Sequence, residues 1–207
     1  MSYCEEFCYI VVMFDGRGER IDNMVQFAGG QNTQLTPPVS GRDHSDEFPD
    51  APIILVEYGD FECPYCGQAF EVVKQLQQRL GDQLRYVFRN FPLVQIHPYA
   101  LQAAEAAEAA GAQGKYWQMF DLLFEHQDAL DIAHLSQYAK DIEGLDIQKF
   151  EQDLQNHTFL PRIKEDIESG ERSGVQGTPT FFINGVKYNG SFDLPYLLAA
   201  IEARASV

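Results

Sequence analysis

Ile53-Ile54-Leu55-Val56-Glu57-Tyr58-Gly59-Asp60-Phe61-Glu62-Cys63-Pro64-Tyr65-Cys66 decides the reading of this chain. Its apolar opening has the length of a strand buried on both faces. Beyond it, Phe70, Val73, Leu76 and Leu80 recur at helical spacing until Gly81. Pro64 suits the first helical position, where its missing N–H leaves no bond unmade. The two cysteines therefore fall at a strand-to-helix corner, where a Cys-x-x-Cys meets the alpha-carbon separation of under about 7 Å that a disulfide requires. Such a pair can open and close while the fold stays put. A thiol in the first turn faces unpaired N–H groups and the positive end of the helix dipole, both of which favour the thiolate. Cys63 is the expected nucleophile, and Cys66, one turn in, the thiol that resolves a mixed disulfide formed at Cys63. The dipole alone is worth roughly 0.3–2 kcal/mol, so strong activation also calls for N–H bonds to the sulfur. Asp60 and Glu62 oppose it. Read as exposed side chains, they are screened and subtract little.

Outward from this corner, Leu84–Phe91 alternates as a second strand, and a one-helix crossover makes the two strands parallel and right-handed. From Pro98 the pattern is helical almost throughout. Ala100–Ala110 is a strong helix former, Trp117, Phe120, Leu123 and Phe124 form an apolar stripe read as core, and Leu130–Ile142, Ile147–Leu154 and Phe159–Ile167 are short amphipathic segments. Pro179–Ile183 and Val186–Tyr188, joined by Asn184-Gly185, carry the strongest hairpin signal, and Leu194–Ala203 closes as a helix. The expected class is α/β, with a helical insertion at about residues 98–171 between a βαβ and a ββα half. Residues 1–34 are expected to be a poorly ordered extension and residues 35–207 the domain. The stretch 31–50, rich in Pro, Ser, Asp and Gly, is read as a linker that wraps onto it.

The composition bounds the function. With 45% hydrophobic residues in 207, the chain can bury a substantial core. A net charge of −16 repels phosphate backbones and anionic headgroups, which argues against nucleic-acid and membrane-surface binding. No apolar run approaches the roughly eighteen residues of a membrane span. The apolar stretch Tyr9 to Phe14 follows Glu5 and Glu6 instead of basic residues, so no secretory signal is expected and the address is cytoplasmic, or periplasmic only if the true start lies elsewhere. Cys4 and Cys8 form a second close pair that could complete a zinc tetrahedron with Cys63 and Cys66. Zinc knuckles sit in turns between short hairpins, however, whereas Cys63 follows a buried-strand pattern and begins a long helix. No metal or organic cofactor is expected.

The order of strand, Cys-Pro-x-Cys helix, strand, helical insert, Thr-Pro hairpin and final helix resembles the DsbA-like branch of the thioredoxin superfamily. Val56 to Cys66, Phe91-Pro92-Leu93, Gln113-Gly114-Lys115-Tyr116-Trp117 and Gly174 to Gly185 are similar to the bacterial group that also occurs fused to sodium/proton antiporters. The likeness covers about Leu35 to Arg204. It implies a thioredoxin-like fold and a protein-disulfide oxidoreductase that exchanges a Cys63–Cys66 disulfide or dithiol with protein or small-molecule thiols, together with an unidentified redox partner. It further implies a cis Pro179 facing the cysteine pair, with the Thr178 backbone offering strand-like pairing to an extended peptide and the Thr178 side chain touching the sulfurs. Pro64 and Tyr65 complete the expected substrate-binding surface. Tyr65 stands where strongly oxidising members carry His, which implies a less stabilised thiolate and a less oxidising disulfide.

Glu57 is a lone carboxylate in an apolar strand, so it must be paired or carry a raised pKa, unless the strand lies at an edge and the side chain faces solvent. The resemblance makes it the general base for Cys66. His97, before Pro98, is read as a helix-start residue, and His44, His126, His134 and His157 as surface or packing residues. Two other classes stand beside the exchange reading. One is a non-catalytic module holding peptides or a transporter at the Thr178-Pro179 edge. The other is a glutathione-dependent isomerase or transferase, against which the intact cysteine pair argues.

Overall fold

The computed structural model describes residues 33–45 and 48–205. Cys4, Cys8 and most of the 1–34 extension lie outside them. In chain order the elements are β1 (His44–Ser45), β2 (Ile53–Gly59), α1 (Pro64–Leu80), a 3-10 turn (Gly81–Gln83), β3 (Leu84–Asn90), α2 (Ala100–Gly111), α3 (Tyr116–Glu125), α4 (Ile132–Asp141), α5 (Ile147–Gln155), α6 (Leu160–Arg172), β4 (Thr180–Ile183), β5 (Val186–Tyr188) and α7 (Leu194–Ala205). The strands form one sheet in the order β1-β3-β2-β4-β5. β2 runs parallel to β3, with Ile53 opposite Leu84 and Gly59 opposite Asn90, and antiparallel to β4, with Leu55 opposite Ile183 and Tyr58 opposite Thr180. The fold is thioredoxin-like, with five helices between β3 and β4.

β2 is central, and its apolar run is buried because both faces are covered. Leu55 joins the larger core with Phe61, Cys66, Leu76 and Phe88, while Val56 and Tyr58 join Leu35, Val87 and Phe182 on the opposite face. Alternation therefore turns Glu57 toward the larger core. α1 ends at Gly81, whose φ of +51° suits a residue without a Cβ.

The helical block is fastened to the cysteine corner by aromatic rings. Phe61, in the corner itself, lies 4.9 Å from Phe124 and 5.6 Å from Phe120 of α3, and Phe120 lies 5.0 Å from Phe88 of β3, centroid to centroid. Such pairs add about 0.5–1.5 kcal/mol each beyond their buried area. α2 runs through the middle of the block, its alanines from Ala103 to Ala110 buried on every side. Among the described residues no helix is long and apolar enough to cross a membrane.

The stretch read as a linker contributes more than a covering strand of chain. Leu35 is buried, its N–H bonds the Gly185 carbonyl at 2.8 Å, and β1 pairs antiparallel with the free edge of β3, His44 opposite Phe88. Asp43, also in this stretch, forms an ion pair with Arg89 of β3, Nε to Oδ1 2.7 Å, both side chains almost wholly buried. Burial opposes the Asp43 charge, yet Arg89 outweighs it and holds the carboxyl below its ordinary pKa. Arg89 also donates to Tyr58 Oη at 2.9 Å and to the Pro37 carbonyl at 3.1 Å. A two-residue strand has no period to read, which is why β1 is invisible in the sequence.

Candidate active site

Cys63 caps the N-terminus of α1 in extended backbone, and Pro64 opens the helix. The Cys63 N–H donates to the Asp60 carbonyl at 3.1 Å and its own carbonyl accepts from Gly67 at 3.1 Å, which closes the corner. Both cysteines are free thiols. Cys63 exposes 3% of its surface and Cys66 none, while Pro64 and Tyr65 between them stand in solvent, Tyr65 at 60%. Across from this corner runs the loop into β4, where the Thr178–Pro179 peptide is cis. Cys63 Sγ lies 3.5 Å from the Thr178 carbonyl oxygen, to which it donates while protonated. Pro179 is half-buried, and Thr178 Oγ1 is buried.

The two thiols are driven in opposite directions. A hydrogen bond from the Cys66 thiol, acting against burial and joined by Thr178 and the backbone N–H groups of Cys66 and Tyr65, lowers the Cys63 pKa from 9.0 to about 5. Those N–H groups are the unpaired donors of the helix's first turn. Burial, the bond to Cys63 and the charges of Glu57 and Cys63 push Cys66 well above its ordinary value, against the Asp60 N–H that reaches its sulfur at 3.4 Å. At neutral pH the outer sulfur is therefore an anion and the inner one a thiol, a division that suits attack at the first and resolution by the second.

Glu57 is 1% exposed on the central strand, which overturns the solvent-facing alternative. Tyr86 Oη donates to Glu57 Oε2 at 2.7 Å, while Oε1 has no hydrogen-bond partner. Burial, opposed by Tyr86 and reinforced by the charge on Cys63, raises the Glu57 pKa from 4.5 to about 8. The residue is both paired and shifted.

Asp60 corrects the sequence reading. It is 1% exposed, so water does not screen it. Its carboxylate accepts from the N–H groups of Glu62 and Leu93, each at 2.8 Å, and lies 2.7 Å from His97 Nδ1. Charge-assisted bonds of this kind replace the lost hydration. Glu62, half-buried, accepts from the Tyr99 N–H at 2.6 Å. Two acids thus latch the loop 91–99 onto the corner, and with it the exposed side chains of Val94, Ile96 and Tyr99. His97 is consequently a partner of the corner and not simply a helix-start residue.

Gln127, between α3 and α4, was missed altogether. Its Nε2 donates to the carbonyls of Phe61 at 2.8 Å and Cys63 at 2.9 Å. A single amide in a polar loop carries no periodic signal. The one trace in the sequence is its place directly after the aromatic stripe that docks on Phe61.

Residues 48–203 match the family described as thioredoxin. Among curated proteins, the chain is 44% identical over 173 residues to a Na(+)/H(+) antiporter NhaA 1 of Mycobacterium sp. (strain KMS), covering 83% of this chain and 28% of that protein. It is 47% identical over 169 residues to a Na(+)/H(+) antiporter NhaA 1 of Salinispora arenicola (strain CNS-205), covering 82% and 26%. The chain thus spans about a quarter of the length of these relatives. Among solved structures, oxidised BdbD from Bacillus subtilis superposes with a TM-score of 0.74 at 22% identity, over 85% of this chain and 98% of that one. Alpha-DsbA1 of Wolbachia pipientis gives 0.69 at 24% identity, over 84% and 96%. The extent of the family match, across the corner, the helical block and the Thr178-Pro179 hairpin, shows that the chain belongs to the thioredoxin family and has a DsbA-like fold.

Proposed function

We propose that the chain is a thiol-disulfide oxidoreductase whose working couple is Cys63 and Cys66. The observation that carries this reading is the opposite displacement of two thiols in one corner: Cys63 lowered to about 5, Cys66 raised and sealed beneath it. The Cys63 thiolate attacks one sulfur of a substrate disulfide, breaks that bond and releases the second substrate sulfur as a thiolate, which takes a proton from water. Cys66 then gives its proton to Glu57 in the fraction of molecules whose carboxyl is ionised, attacks Cys63 Sγ and expels the remaining substrate sulfur, leaving a Cys63–Cys66 disulfide. In the opposite direction a substrate thiolate opens that disulfide at Cys63. Glu57 suits the proton transfer because its pKa of about 8 lies near neutrality. The Thr178 backbone beside Cys63 offers an extended peptide strand-like bonds, with Pro64 and Tyr65 on the facing side. No cofactor takes part.

Replacing Cys66 by Ala tests the assignment. Mixed disulfides with client proteins should accumulate at Cys63 and disappear in a Cys63→Ser, Cys66→Ala double variant. Failure to trap any client, with Cys63 still open to alkylation, would refute the exchange role. The antiporter names of the relatives support a second reading, a module that binds or regulates a transporter. That function would survive Cys63→Ser alone, whereas exchange would not.

A further inference from the structure

One imidazole–carboxylate pair in the corner has no part in the exchange steps above. His97 Nδ1 lies 2.7 Å from Asp60 Oδ2, with the imidazole 15% exposed and the carboxylate fully buried. The carboxylate is fixed by two further N–H bonds, from Glu62 and Leu93, and the N–H of the same residue reaches Cys66 Sγ. Imidazole, carboxylate and inner sulfur are therefore joined through one residue, at the end of α1 where the outer sulfur carries its charge. A buried carboxylate beside a forming thiolate disfavours it through like charge, unless a cation stands with the carboxylate.

We propose that His97 is a positioning residue which, as imidazolium, balances Asp60 and so stabilises the dithiol form of the couple, with its Cys63 thiolate, relative to the disulfide. The proposal rests on the exchange reading of Cys63 and Cys66. The groups acting on His97 all belong to the corner between β2 and α1. Burial alone would lower its pKa, but the hydrogen bond and charge of Asp60, with the charges of Cys63 and Glu62, raise it. Reduction by two client thiols breaks the Cys63–Cys66 bond, forms the client disulfide and moves two electrons. Of the two client protons, Cys66 keeps one, and the other is released or, where the ring is still neutral, retained on His97. By linkage, the Cys63 thiolate must strengthen proton binding at His97 by the same factor that the imidazolium favours the thiolate.

This reciprocity can be read in the unaltered protein. Nuclear magnetic resonance titration of the His97 ring should give a midpoint about 0.3–1 pH unit higher in the dithiol than in the disulfide state. Equal midpoints would overturn the proposal. His97→Asn keeps a donor to Asp60 without the charge. Against a glutathione buffer at about pH 6, its equilibrium should shift roughly 2- to 10-fold toward the disulfide, and the shift should close as pH rises and the wild-type ring loses its proton. A purely structural His97 would give a pH-independent difference or none, and either result defeats the proposal. Thiol counting on the wild type separates the two levels: if no disulfide forms between Cys63 and Cys66, the exchange reading itself falls, and this inference with it. If the couple cycles normally while both His97 readouts stay flat, the inference alone falls.

Discussion

Glu57 keeps a proton in the folded protein that the unfolded chain gives up, because burial carries its pKa from 4.5 to about 8. Over that interval the native state binds more protons than the denatured one, so stability from this group is greatest below pH 4.5 and falls as pH rises to about 8. Glu57→Gln should remove the slope. Urea midpoints should coincide near pH 4.5, while near pH 8 the variant should be more stable by about 2–4 kcal/mol. Its resolving step should be slower by roughly 10–100-fold, read as longer-lived mixed disulfide in single-turnover exchange. A variant with wild-type resolution would remove Glu57 from the proton path. At this scale the cysteines were legible through their spacing, and Glu57 as a carboxylate out of place among Ile, Leu and Val. Asp60, His97 and Gln127 were not, since their meaning comes from groups 33 to 66 positions away. Gly59 and Phe61 beside Asp60 say nothing of the loop that folds over it.

Elements meet at the corner through the aromatic rings around Phe61 and a few polar side chains. Gln127 is the polar tie between the α3–α4 junction and the start of α1, gripping carbonyls on both sides of Glu62. Gln127→Ala should cost about 1–2 kcal/mol for two lost bonds. It should also speed hydrogen exchange in the first turn of α1 while leaving the far end of that helix unchanged. Uniform protection along α1 would show that the aromatic cluster alone holds the junction. The helices and the β4–β5 hairpin were visible in advance because apolar periods of 3.6 and 2 are properties of the sequence itself, and Gly81 marks the end of α1. β1 had no such property. Its two residues are a strand only because the β3 edge lies beside them.

On the scale of the whole molecule, the structured domain begins earlier than residues 48–203, the stretch that matches the family model. Residues 33–45 bury Leu35, complete the hydrogen bonding of β5 through Lys187, and neutralise Arg89 through Asp43. Asp43→Ala leaves a guanidinium almost fully enclosed with only neutral acceptors, and should destabilise the chain by about 3–5 kcal/mol in urea unfolding. A loss under about 1 kcal/mol would mean that the Tyr58 hydroxyl and Pro37 carbonyl suffice. Anyone trimming this protein to the residues that match the family model, with Phe48 as first residue, would strip that counterion together with the strand shielding the sheet margin at Val87 and Phe88. The shortened polypeptide should then self-associate through its bare backbone, giving light-scattering aggregates that the untrimmed chain does not give.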